Sequence, residues 1–214
     1  ALGAAVAICV AWLVVTTRPV GLEHWLPERD GQAVVSVHMF AVGDGSCFLV
    51  EIHEPRPHRI MFDCGSQAYF DVAIQSVVPA LERLGVSRID TLILSHADLD
   101  HYGGALDLID RVRVDEVLMA EHLPIEAEAD PASAAAFLLE GLRIRGMSAQ
   151  TIGQGWRRER GPVVCEVIWP APAVADGRAN EMSVVMSIRA AGRRILRNGD
   201  IQQQAIETML AADM

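Results

Sequence analysis

The sequence predicts a layered α/β domain built around a mixed sheet, and three observations carry that prediction. Residues 34–64 hold three apolar, largely β-branched runs separated by turn residues, which read as strands linked by hairpins. The hydrophobic period then changes, with Phe70, Ile74, Val77, Leu81 and Leu84 recurring at helical spacing. From there short apolar runs alternate with helical stretches to the end of the chain, the pattern of strands packed against helices. Composition agrees. Of 214 residues 51% are hydrophobic and 21% charged, which supplies one good core and excludes a disordered chain. The net charge is −10, and all 18 basic residues are Arg. This balance argues against a protein that grips nucleic acid with its whole surface, but leaves room for a local basic track.

Taken in order, residues 1–17 carry no charge, the lower limit for crossing a ~30 Å hydrocarbon core. Arg18 and Pro19 end the run, so a transmembrane segment is expected over 1–18 and a linker with Pro27 and Gly31 over 19–33. The globular domain is expected over 34–214. Its opening strands are residues 34–42, 46–53 and 59–64, with Gly43-Asp44-Gly45 as the first turn. A helix follows to Gly85, and Pro79 starts or kinks a turn within it. Residues 90–95 form a nearly all-apolar strand, as expected when both faces are buried. A polar loop, residues 96–104, leads to a short helix over 105–111 and a buried strand over 116–119. A helix over 131–145 places Phe137, Leu138 and Leu142 on one side. Strands over 163–169, 183–190 and 193–198 come next, the last two joined at Ala191-Gly192, and a helix begins at Gln202. Cys9, Cys47, Cys64 and Cys165 are scattered without a C-x-x-C pair and read as free thiols.

One loop concentrates chemistry. Ser95-His96-Ala97-Asp98-Leu99-Asp100-His101-Tyr102-Gly103-Gly104 places two imidazoles and two carboxylates within six residues, at the end of a buried strand. Imidazole and carboxylate are ligands for zinc, manganese or iron, and side chains at such an edge can converge on one point. Gly103 and Gly104 let the backbone pass close to a site. Asn198-Gly199-Asp200 also follows an apolar strand and precedes a helix, so Asp200 is placed to meet that loop across the fold.

These residues resemble a known family. H-A-D-L-D-H-Y-G-G is similar to the H-x-[HD]-x-D-H signature of the metallo-β-lactamase fold. The upstream A-V-G-D-G-S-C-F-L-V-E-I and R-I-M-F-D-C-G look like that fold's opening hairpin and the strand leading to its site. In detail the chain looks most like the C-terminal hydrolase domain of ComEC-type DNA-uptake channels, whose blocks read D-V-G-Q-G-D, S-H-x-D-x-D-H-x-G-G and N-x-x-S…L-T-G-D. The resemblance covers residues 34–210. It implies an αββα sandwich with mixed sheets, incomplete at its C-terminus, because the family's final His-His-Gly block would follow the last helix. It further implies that His96 and Asp98 bind one divalent metal and Asp100 and His101 a second, with Asp200 bridging. Manganese or zinc would serve, Asp98 in place of a histidine favouring manganese. Asp100 would also pass a proton to the leaving group, and Asn180, Ser183, Gly103 and Gly104 would shape the pocket. Ala41 and Ser46 stand where the family has Asp.

The activity implied is metal-dependent hydrolysis of one DNA strand during uptake, by a membrane-located protein whose hydrolase domain lies outside the cytoplasm. Single-stranded DNA and the membrane are the expected partners, and no protein partner is identifiable. Two rivals are a membrane-anchored hydrolase of small esters, thioesters or lactams, and a scaffold that keeps the fold without metal. Ten Arg lie between Arg143 and Arg197; Arg157, Arg158 and Arg160 beside Trp156 read equally as a DNA track or a solvated face. His38 and His53 read as core or surface residues on strands, Cys64 as packing, and His58 and His122 receive no role.

Overall fold

Short strands ended by turn residues, then longer apolar strands fed by helices, produce two sheets of different kinds. The computed structural model describes residues 34–53, 56–171 and 180–211, all within one compact unit, Val34–Met214. The expected transmembrane segment and linker, residues 1–33, lie outside the described residues. Among the described residues no helix is long and apolar enough to cross a membrane.

Strands β1 (Val35–Met39), β2 (Phe48–Ile52) and β3 (His58–Phe62) pair antiparallel, as the hairpin spacing requires. A wide π-type turn, Ala73–Val77, runs directly into helix α1 (Val78–Arg83), with Pro79 at its start, where a missing N–H costs nothing. Strand β4 (Arg88–Leu94) then pairs parallel to β3. After the polar loop come the single-turn helix α2 (Leu99–Tyr102) and helix α3 (Ala105–Arg111). Strand β5 (Arg113–Ala120), helix α4 (His122–Ala129), helix α5 (Ala134–Ile144) and strand β6 (Ala149–Ile152) follow, so that β3, β4, β5 and β6 run parallel. The six-stranded sheet is ordered β1-β2-β3-β4-β5-β6.

The second sheet is antiparallel, ordered β10-β9-β8-β7. It holds β7 (Arg157–Arg160), β8 (Val163–Trp169), β9 (Val185–Ala190) and β10 (Arg193–Asn198). Ala191 and Gly192, both at positive φ, make the expected tight hairpin between β9 and β10. Helix α6 (Gln203–Ala211) closes the described chain.

The central strands of the first sheet are buried on both faces, which explains their nearly continuous apolar sequence. Leu49, Met61, Leu92 and Met119 pack against Val77, Leu81, Leu108 and Leu138 of the helical layer. Val50, Phe62, Ile93 and Leu118 meet Val163, Cys165, Met186 and Ile188 of the second sheet. On that sheet's far side Trp169 and Val185 cluster with Ala205 of α6. Helix, sheet, sheet, helix is therefore the layer order.

Three local expectations need correction. Phe137 does not share the buried side of α5; it is 74% exposed, because Ala135, Leu138 and Leu142 define the inward stripe at i, i+3 and i+7. Phe70, also expected on an inward stripe, is 99% exposed, and Ile74 and Leu84 are only partly covered. Helix α4 and strands β6 and β7 had no sequence signal. Strand β7 reads R-R-E-R and is held by antiparallel pairing with β8 rather than by an apolar pattern.

Candidate metal centre

Parallel pairing brings the carboxyl ends of β3, β4 and β5 to one edge of the sheet. Asp63 leaves β3 there, Ser95 and His96 leave β4, and His122 follows β5. The loop that carries the candidate ligands is clamped on this edge by main-chain bonds. Ser46 N donates to the Asp100 carbonyl at 3.0 Å, Cys64 N to that of His101 at 2.7 Å, and Gly104 N to that of Cys64 at 2.8 Å. Gly65 makes the approach possible: a Cβ there would sit 2.4 Å from the carbonyl carbon of Asp100. Gly104 packs on Cys64 in the same way, and Cys64 is buried packing, as expected.

The two imidazoles lie with ring centroids 3.9 Å apart, tilted by 58°. Each is anchored through Nδ1. His96 Nδ1 donates to Ser95 Oγ at 3.0 Å, since that hydroxyl gives its own proton to Asp63 Oδ2 at 2.9 Å. His101 Nδ1 lies 2.9 Å from Asp63 Oδ2. Both Nε2 atoms are thereby turned toward carboxylates: His96 Nε2 stands 3.3 Å from Asp98, and His101 Nε2 stands 3.6 Å from Asp100. His96 is fully buried, and its Nε2 has no hydrogen-bond partner among the described residues. Burial, and then the positive charge of neighbouring His101, push His96 down to about 4, so this ring is neutral at ordinary pH and its Nε2 holds a free lone pair. A buried imidazole nitrogen with no donor to satisfy it, beside a carboxylate, fits a divalent metal.

The expected ligands are brought together in part. The structure arranges His96 with Asp98 and Asp100 with His101 as two facing pairs; among the described residues no three His, Cys, Asp or Glu side chains converge as a ready cage. Asp98 is 42% exposed on its side chain and retains freedom to turn. Asp200 reaches the site electrostatically, acting on His96, while its Oδ2 accepts from Asn180 Nδ2 at 2.7 Å. Ser183 is buried, and Gly199 is wedged between Ser183 and Ser95. Gly103 caps the single turn of α2, its N–H bonding the Leu99 carbonyl at 2.7 Å.

Asp63 is the residue that sequence reasoning missed. It is fully buried at φ 61°, and it accepts from Ser46 Oγ, Ser95 N, Ser95 Oγ and His101 Nδ1. Burial alone would raise its pKa, but the hydrogen bond and charge of His101, the charge of Arg197 and the Ser95 N–H together hold it below the ordinary carboxylate range. The available signal was a lone Asp closing an apolar strand in R-I-M-F-D-C-G. His122 was also passed over. Its Nε2 accepts the Ala97 N–H at 3.2 Å, fixing the loop between the two candidate ligands His96 and Asp98, and burial then His96 push it down to about 4.

The arginines read as a track are largely engaged within the protein. Arg157 pairs with Glu159, and Arg158 pairs with Glu116 while covering the Trp156 ring at 5.1 Å; Arg160 is exposed.

The family model described as the metallo-beta-lactamase superfamily matches residues 41–177. This chain belongs to the metallo-β-lactamase superfamily. Metallo-β-lactamase relatives include curated competence proteins. A competence protein ComA from Neisseria gonorrhoeae is 33% identical over 109 residues, which is 46% of this chain and 15% of that protein. ComE operon protein 3 from Bacillus subtilis is 23% identical over 187 residues, 81% of this chain and 23% of that protein. The chain thus spans less than a quarter of the length of these curated relatives. Among solved structures it is similar to MEM-A1, a subclass B3 metallo-β-lactamase from a soil metagenome library. There the identity is 20%, over 77% of this chain and 60% of that one, with a TM-score of 0.49.

Proposed function

We propose that this metallo-β-lactamase domain is the metal-dependent hydrolase of a competence-type DNA-uptake protein in the membrane, degrading one DNA strand outside the cytoplasm. The observation that carries this reading is the pair of anchored imidazoles whose Nε2 atoms face Asp98 and Asp100, that of His96 buried without a hydrogen-bond partner among the described residues. Similarity to the two competence proteins supports the biological setting. His96 and Asp98 would hold one divalent ion, Asp100 and His101 a second, and Asp200 would lie between. Manganese or zinc suits this mixed nitrogen and oxygen set. A bound pair of such ions supplies an acidified water and charge stabilisation for the leaving oxygen.

The chain's own residues do the rest. Ser95 and Asp63 fix the Nδ1 tautomer of both histidines, which keeps each Nε2 lone pair available. Asp100, partly open to solvent, holds a carboxylate where a proton can pass to a departing oxygen. Asn180 orients Asp200. The burial of His96, His101 and Asp63 keeps bulk water from competing for these groups.

The test is elemental analysis after dialysis, with cleavage of a single-stranded oligonucleotide in manganese, for the natural protein and for His96→Ala/Asp100→Ala. Two metal ions per chain and cleavage that both vanish in the double variant are expected. Hydrolysis of a thioester or lactam with none of DNA would overturn the DNA reading, and no metal above the variant's level would overturn catalysis altogether.

A further inference from the structure

Arg197 is a charged group that reaches from the second sheet to the first. It enters from β10, opposite the loop that carries the candidate ligands, and its side chain is 13% exposed. The guanidinium carbon lies 3.9 Å from the centroid of the Phe48 ring and 4.7 Å from that of Phe62. Its Nη2 bonds Ser46 Oγ and stands 3.5 Å from Asp63 Oδ2. Burying a cation costs several kcal/mol unless it is paired. Two aromatic faces and one carboxylate offset part of that, and the Nε has no hydrogen-bond partner among the described residues.

We propose that Arg197 is a positioning residue for the candidate metal centre: it is the fixed counter-charge of Asp63, and through Asp63 it holds His101 with Nδ1 protonated and Nε2 free. This inference rests on the metal-dependent reading above. Asp63 Oδ2 is crowded by donors from Ser46, Ser95 and His101. A buried carboxylate needs a fixed cation, and the Arg197 guanidinium, held over Phe48 and Phe62, reaches Asp63 and Ser46 together. Ser46 completes the arrangement by lying between the guanidinium and the carboxylate.

The deciding measurement is nitrogen NMR of the histidine side chains in metal-free protein at alkaline pH, where His101 is neutral, with His101→Gln identifying its signal. Wild type should show a single Nδ1–H tautomer for His101. Arg197→Met keeps the stem between Phe48 and Phe62 but removes the contacts that hold Ser46 Oγ and the Asp63 carboxylate in place; a mixture of tautomers is expected as the carboxylate turns away from His101 Nδ1, with Arg197→Lys restoring the single form. In parallel, cobalt(II) affinity measured against a competing chelator should fall roughly 10- to 100-fold in Arg197→Met, the usual scale for a residue supporting a ligand, and recover in Arg197→Lys. An unchanged tautomer, or cobalt affinity within about twofold of wild type, overturns the proposal. If Arg197→Met does not fold, Arg197→Gln replaces it with the same outcomes. Wild type that takes up no cobalt would sink the hydrolase reading, while the tautomer comparison would still decide the role of Arg197.

Discussion

Asp63 shows how much one residue can organise. A left-handed backbone is tolerated by Asp and Asn and disfavoured by residues with an unhelpful Cβ, and here it turns the carboxylate back under the ligand loop. Asp63→Asn should therefore fold with little loss of stability, yet lower retained metal by roughly 10- to 100-fold because the acceptor for His101 Nδ1–H is weakened. Asp63→Ala should in addition cost about 1–3 kcal/mol of stability, since it leaves the buried Ser95 and His101 donors unpaired. Denaturant unfolding and elemental analysis separate the two effects.

His58, at the opposite end of β3, bears on pH dependence. Burial pushes its pKa below the ordinary value, against the opposing pull of Asp90. Because the unfolded chain then takes up the proton first, stability should fall as pH drops through ~6.5 and level off below the folded-state value. His96 and His122, both held at about 4, add to that slope, and His101, whose pKa is raised, opposes it. His58→Gln should flatten the decline measured by denaturant midpoints across the weakly acidic range.

At the scale of elements, Glu181 ties three pieces together. Its carbonyl accepts the Trp169 indole N–H at 2.7 Å, and its carboxylate accepts Ala205 N at 2.7 Å in the first turn of α6. A carboxylate there satisfies an orphan helix donor and sits at the favourable end of the helix dipole. Glu181→Ala should cost about 1–2 kcal/mol, the range for losing a cap, and the loss should appear first as faster hydrogen exchange in α6. Strands β6 and β7 teach a related lesson. Their sequences, A-Q-T-I and R-R-E-R, give no period of their own; partners on β5 and β8 impose the extended state.

For the whole molecule, the question is what the described surface leaves uncovered. Strand β10 is an edge of the second sheet among the described residues, and its Leu196 is 54% exposed, with Ile195 also exposed. Unpaired apolar edges promote association. The 214-residue chain alone should therefore self-associate in light scattering, and Leu196→Lys should reduce this without moving the unfolding midpoint by more than about 0.5 kcal/mol. An unchanged scattering profile would show that β10 is not the sticky surface.

The sequence by itself determined the layered α/β class, the antiparallel opening, the later apolar strands and the His96–Gly104 loop as the candidate site. Each was legible because hydrophobic period, turn residues and ligand-type side chains are local signals. Asp63, Arg197 and His122 were not legible, because their roles arise only when Asp63 after β3 and His122 after β5 meet the loop and Arg197 of β10 meets Asp63, across separations of 25 to 134 residues. The inward stripe of α5 was misread at Phe137 because only packing within the helical layer, against α3 and α4, selects which of two adjacent apolar positions turns inward. Tertiary structure also decided that Arg157 and Arg158 of β7 face carboxylates, and that a buried guanidinium, far along the chain, stands behind the carboxylate that holds His101. Local sequence carries the candidate ligands; long-range pairing brings Asp63 and Arg197 up behind them.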